Sequence, residues 1–162
     1  MKKISCYQTT QNQLPKAFCQ LIEKCYYSNS KTNVLTMSSD YSENLDRVLW
    51  TYSKKHFIPH ATCLDPQPDR QPVYITHELT KYNQAEFLVF INASQSLILE
   101  SIAKKDLFQS KIVKKVLFIF DETQKMKEKE IKFLLEKSDI GKFEINAFCQ
   151  TLKGSWETLP LA

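Results

Sequence analysis

Phe87-Leu88-Val89-Phe90-Ile91 is an unbroken apolar run bounded by Glu86 and Asn92. Its length suits a strand, and apolar side chains at both odd and even positions mean that both faces are buried. A strand with one wet face would alternate instead. The run is therefore read as a central strand of a parallel sheet. Val116 to Phe120 is a second run of the same kind. Parallel neighbours need crossover connections, and these place helices on the sheet faces.

Upstream, Lys3 to Tyr7 is a short first strand. Pro15 stands where the first turn of a helix tolerates it. Phe18, Leu21, Ile22, Cys25 and Tyr26 then recur at helical spacing, and Ser28-Asn29-Ser30 ends the helix. Val34 to Met37 reads as a second strand, and Ser38-Ser39-Asp40 offers caps for a second helix. Leu45, Val48, Leu49 and Tyr52 form that helix's apolar face. Pro59, Pro66, Pro68 and Pro72 mark an irregular connection, and Val73 to Thr76 is a third strand.

Downstream, Leu97 to Lys115 is helical or irregular. A last helix is expected from about Thr123 to Ser138, with Gly141 as its C-terminal cap. Phe143 to Gln150 is a further strand, and Lys153-Gly154 turns Ser155-Trp156-Glu157 back as an edge strand. Alternating strands and helices predict a three-layer α/β/α domain with a largely parallel sheet, a single unit spanning residues 1–162.

Composition narrows the function. Only two glycines occur in 162 residues, Gly141 and Gly154. Phosphate-cradling loops need glycine so that backbone can approach the phosphate. Neither G-x-G-x-x-G nor G-x-x-x-x-G-K-[ST] can be written here, so the fold is Rossmann-like without a phosphate-binding loop, and no cofactor is expected. The net charge of +4 is mild, and favours an acidic protein partner or weak nucleic-acid contact. Cys6, Cys19, Cys25, Cys63 and Cys149 are scattered and form no C-x-x-C pair, so reduced thiols are expected. The start of the chain lacks an apolar stretch of signal-peptide length, and no apolar run reaches ~18 residues. A cytoplasmic protein with no membrane partner is expected.

Four constellations carry chemistry. His56, His60 and Cys63 are zinc-ligand types, but Pro59 breaks any helix that would align the histidines, and a fourth ligand is not obvious. The plainer reading gives His60 a backbone hydrogen bond in a tight turn. Cys6 with His60, or Asp121 with Glu122, are the pairs to weigh for catalysis. Neither has a supporting signature, and Asp121-Glu122 reads more simply as acidic residues at a helix N-terminus. The third is Lys125 to Leu135. Lys125, Lys129 and Lys132 share one face, opposite Ile131, Leu134 and Leu135. This is either a solvated face with a Glu128–Lys132 pair or a basic rim beside an apolar groove for an acidic peptide with a terminal aromatic residue. The fourth is Leu45 to Tyr52 followed by Phe57-Ile58. Trp50 lies at the edge of the apolar stripe, and periodicity leaves core and interface both open. A basic cluster, Lys104, Lys105, Lys111, Lys114 and Lys115, admits direct single-stranded nucleic-acid binding, but no aromatic platform is interleaved with it.

Leu45-Asp46-x3-Trp50, followed by Phe57-Ile58-Pro59-His60, resembles the most characteristic block of the chi subunit of bacterial DNA polymerase III. Cys6-Tyr7, Cys19-x-Leu21-x2-Lys24-Cys25-Tyr26, Val34-Leu35, Gln71-Pro72-Val73, Phe87 to Asn92, Phe120-Asp121, Gly141 and Trp156 agree in order and spacing. The resemblance implies an α/β accessory subunit with no catalytic site and no small-molecule substrate. It implies a link between the clamp loader and the acidic C-terminal tail of single-stranded DNA-binding protein, with DNA engaged indirectly. It also implies that Trp50 and Phe57, with Leu49 and Ile58 beside them, face the psi subunit, a helicase-like protein or another clamp-loader component. For the tail, it implies a site around Lys127 and Phe120, with Ile131, Leu134 and Lys132 at neighbouring positions. Ile131 stands where the family's pattern has an arginine, and Leu134 where an aromatic is common. Lysine cannot reproduce the bidentate grip of a guanidinium.

Overall fold

The computed structural model describes residues 1–52, 57–62, 65, 70–79, 84–104 and 107–161. Eight strands form one sheet in the order β3-β4-β2-β5-β6-β1-β7-β8. They are β1 (Lys2–Gln8), β2 (Thr32–Leu35), β3 (His60–Thr62), β4 (Val73–Thr76), β5 (Phe87–Ile91), β6 (Lys115–Phe120), β7 (Phe143–Gln150) and β8 (Trp156–Leu159). All neighbours pair in parallel except β7 with β8, which are antiparallel. The two apolar runs, β5 and β6, are adjacent at the centre, with Phe90 opposite Phe118.

Among the described residues, four helices cover the faces: α1 (Leu14–Tyr27), α2 (Ser39–Tyr52), α3 (Gln95–Ala103) and α4 (Glu128–Lys137). Alternate strand residues face opposite ways, and two cores follow. Val34, Val89, Leu117 and Ile119 pack with Phe18 and Ile22 of α1 and Leu45 and Leu49 of α2. Phe90, Phe118 and Phe120 pack with Ile98 and Ile102 of α3 and Ile131 and Leu135 of α4. The layers are thus α/β/α, as the sequence predicts.

Several boundaries differ from expectation. The second strand is Thr32–Leu35, earlier than Val34 to Met37. Thr36 already turns the chain, since its hydroxyl bonds Ser38 O at 3.0 Å and Ser42 Oγ at 2.6 Å. β3 lies in the stretch expected to be irregular. It is an edge strand directly after Pro59, where a proline removes no ladder bond. The last helix starts at Glu128 rather than Thr123. The Asp121 carboxylate accepts bonds from the backbone and hydroxyl of Thr123 and so closes a turn there. Asp121-Glu122 therefore does not sit at the N-terminus of α4; Glu128 and Glu130 do, and Glu130 accepts from Lys127 N at 3.2 Å. Gly141 does not cap α4 either. Ser138 ends the helix, and Gly141, at φ +79°, shapes the turn into β7.

Cys6, Cys19, Cys25 and Cys149 are free thiols; Cys63 lies outside the described residues. Among the described residues, no helix is long and apolar enough to cross a membrane.

Candidate partner-binding surfaces

The two catalytic pairs weighed from the sequence are not assembled. Cys6, in β1, is fully buried, and burial, with Glu128 nearby, pushes its thiol up to about 12. His60, on β3, lies five strand spacings away in the sheet, or ~24 Å at ~4.8 Å per strand. The Cys6–His60 pairing is therefore overturned. Asp121 is held by Thr123 and by Asn92 Nδ2 at 3.1 Å, and the Glu122 carboxylate accepts from Gln11 N at 2.9 Å. The two acids point into different networks. A backbone amide leading into α1, which a phosphate binder would leave free, is thus taken by the chain's own carboxylate.

His56 and Cys63 of the candidate zinc set lie outside the described residues. Both ring nitrogens of His60 are engaged. Nδ1 is 2.7 Å from Ile58 O, and Nε2 is 2.9 Å from Asp46 Oδ1 and 3.2 Å from Asp46 O. No group of three or more His, Cys, Asp or Glu suited to a metal ion occurs among the described residues.

The first candidate surface is built on that histidine. α2 carries Asp46 and, one turn later, Trp50 on its outer side, while Leu45 and Leu49 face the core. Trp50 is 58% exposed and Phe57 is 48% exposed. Their rings pack at 4.7 Å between centroids, and His60 lies beneath them at 5.4 and 5.9 Å. Leu49 and Ile58, expected beside the pair at the interface, are instead buried in the core, because they fall on the sheet-facing side. Trp50 is thus a surface residue and not part of the core. An exposed ring pair on a hydrogen-bonded platform loses little side-chain freedom on binding, the property of an interface anchor.

The second surface lies against α4. A cavity of about 540 Å³ is lined by Gln95, Met126, Phe133 and Leu134, with Lys129 and Lys137 at its margin and Glu130 also lining it. Phe133 is 58% exposed, and the Lys137 ammonium sits 4.4 Å over its ring. Of the residues expected around the tail, Leu134 lines this cavity. Phe120 and Ile131 do not line it; both are fully buried in the core. Lys127 bonds Asp121 O at 3.3 Å and lies 5.7 Å over the Phe120 ring. Lys132 turns elsewhere, to Leu161 O at 3.2 Å and Glu136 at 3.7 Å, so the expected Glu128–Lys132 pair is replaced by Lys132–Glu136.

Sequence reasoning missed Phe133, Met126, Lys137 and Gln95. Phe133 had a usable signal, since it falls off the Ile131–Leu134–Leu135 stripe and leaves an aromatic ring on the polar side. Gln95 had none, because only the packing of α3 beside α4 brings it near. The expected lysine cluster is partly spent on the chain itself: Lys104 bonds Leu79 O at 3.1 Å and Lys114 pairs with Glu86 at 2.8 Å, while Lys105 lies outside the described residues.

An α/β scaffold with an exposed ring pair at one place and a lysine-flanked cavity beside α4 is the physical finding, and comparison with known proteins places it. The family model described as DNA polymerase III chi subunit, HolC, matches residues 1–130. A probable DNA polymerase III subunit chi of Rickettsia prowazekii (strain Madrid E) is 39% identical over 159 residues, covering 98% of this chain and 93% of that one. With a family match over most of its length and a relative aligned almost end to end, this chain belongs to the DNA polymerase III chi subunit family.

Proposed function

We propose that this accessory subunit works as an adaptor in DNA replication, joining the clamp loader to single-stranded DNA-binding protein through that protein's acidic C-terminal tail. The observation that carries the reading is the lysine-flanked apolar cavity between α3 and α4. Lys129 and Lys137 attract carboxylates and raise the encounter rate. Phe133, Leu134 and Met126 offer an apolar seat for a terminal aromatic ring. Lys127, at the start of α4, adds positive charge to the same helix, and Phe120 and Ile131 belong to the core on which α4 packs. The surface around Trp50 and Phe57 takes the psi subunit or another clamp-loader component. The chain acts as one unit over residues 1–162, in the cytoplasm, with no catalytic site, cofactor or small-molecule substrate of its own.

The deciding experiment is titration of the purified chain with a labelled peptide of the acidic tail. Binding that weakens as salt rises, and that fails when the last residues are removed, supports the reading. Equal binding to a truncated peptide, or tight binding at high salt, overturns it.

A further inference from the structure

The opposite face of the sheet carries a feature that neither partner surface uses. α1 packs on β2 and β6, and α2 on β3 and β4, which leaves β7 and β8 largely uncovered on that side. By register, Tyr7 faces the same way as Phe148, and Gln150 the same way as Trp156. The three rings form one group. Tyr7 stacks on Phe148 at 5.3 Å and 21°, and meets Trp156 edge-on at 5.2 Å. Tyr7, Phe148 and Trp156 are each partly exposed, and Asn146 and Thr158 beside them are exposed.

Three adjoining cavities run between this ring group and α1. One, of about 140 Å³, includes Tyr7, Lys24 and Lys115 in its lining. The next, of about 380 Å³, shares Leu21 and Lys24 with it and adds Trp156. The last, of about 350 Å³, shares Gln20 and Gly154 with the second and adds Lys16 and Lys153. From Gln13 to Ser28 along α1 the groove extends ~22 Å at ~1.5 Å per residue. Four lysines line it. The single carboxylate in its lining is Glu23, and this is hydrogen-bonded by the Tyr52 side chain.

A positive groove beside partly exposed rings is the arrangement that holds an unpaired strand, because lysines track phosphates while bases stack on rings. We infer that this groove binds single-stranded nucleic acid directly, with Lys16, Lys24, Lys115 and Lys153 on the phosphates and Trp156 and Tyr7 against the bases. A duplex keeps its bases stacked inside and cannot present them to recessed rings. An acidic peptide would satisfy the lysines but has no base-like ring at each residue to use the platform.

The test uses the full chain and a labelled oligothymidylate of ~12 nucleotides, followed by fluorescence anisotropy from ~50 to ~200 mM salt. No partner protein is present, so the result is independent of the adaptor reading. Four phosphate contacts predict a slope near −2.8 in log affinity against log salt, from ~0.7 per contact on a single strand. Lys24→Gln with Lys153→Gln, both exposed, should weaken binding and reduce the slope by about 1.4. Trp156→Leu should weaken binding about tenfold with the slope unchanged. Thermal unfolding checks that each variant is folded, and the double lysine variant, altered only at the surface, keeps the test decisive if Trp156→Leu is not. The inference is overturned if the wild type gives no anisotropy change, if duplex of equal length competes equally, if the folded lysine variant binds like wild type, or if Lys129→Gln with Lys137→Gln abolishes binding instead.

Discussion

The ring pair of Trp50 and Phe57 and the cavity beside α4 are both exposed and both apolar, yet they are built in opposite ways. Trp50 and Phe57 stand out from the surface over His60, which is held by Asp46 and the Ile58 carbonyl. The α4 cavity is concave, and its apolar floor is flanked by the ammonium groups of Lys129 and Lys137. A protruding rigid anchor gains affinity from desolvated area. A lysine-flanked seat gains rate and charge selection, and loses both to salt. The two surfaces should therefore separate cleanly in experiment.

The largest effect should come from Trp50→Ala with Phe57→Ala. Losing two packed aromatic anchors should cost ~2 kcal/mol or more of binding to the clamp-loader side, less than the sum of two independent losses because the rings touch. Co-purification with clamp-loader proteins should fail, while acidic-peptide binding by the same variant stays within about twofold of wild type. Loss of both would break the comparison.

Next is His60→Ala. It leaves Asp46 and Ile58 O without their partner and should cost about 1–3 kcal/mol in chemical denaturation. Clamp-loader capture should weaken with no change at α4, because the histidine is the platform for the rings alone. Phe133→Ala is the matching test on the other surface. Peptide affinity should fall about tenfold, with stability moved by less than ~0.5 kcal/mol, since the ring is exposed.

A smaller effect is expected from Lys129→Gln with Lys137→Gln: a severalfold loss of peptide affinity at low salt that disappears at high salt, read by stopped-flow association. The smallest concerns Asp121, which ties β6 to the turn before α4. Burial pushes its carboxyl up, but bonds from Thr123 and Asn92 and the Lys127 ammonium outweigh burial and hold it below the ordinary carboxylate value. A depressed folded value gives stability that is present above the unfolded value and lost as pH falls through the folded one. The wild-type thermal midpoint should drop in acid, and Asp121→Asn should show a shallower drop. An identical acid limb in the two proteins would remove this carboxyl from the account.

Much of the fold was legible because burial leaves a direct mark on composition. The runs Phe87 to Ile91 and Val116 to Phe120 are apolar on both sides and could only be central. The α1 stripe from Phe18 to Cys25 marked its buried face for the same reason. β3 left no such mark, since a three-residue edge strand after a proline has no pattern long enough to read. The start of α4 was misplaced because Thr123 to Lys127 is compatible with helix locally. It is the Asp121 side chain, engaged with Asn92 just past the neighbouring strand β5, that closes a turn there.

The site divides in the same way. Sequence pointed to Trp50 and Phe57 as a block, and to a basic α4 with an apolar side. It could not say that Phe120 and Ile131 sit inside the core while Phe133 stands outside, because a helix stripe does not show where its neighbouring layers end. Nor could it bring Tyr7, Phe148 and Trp156 together, since they lie on three strands and one of them is more than a hundred residues away from the others.

What the sequence determined alone was the class of molecule: a parallel α/β sheet from two fully apolar strands, and no phosphate loop from the lack of glycine. What only the tertiary structure decided was which rings are wet. Exposure depends on how far each helix reaches across the sheet, and that is set by packing between segments distant in the chain.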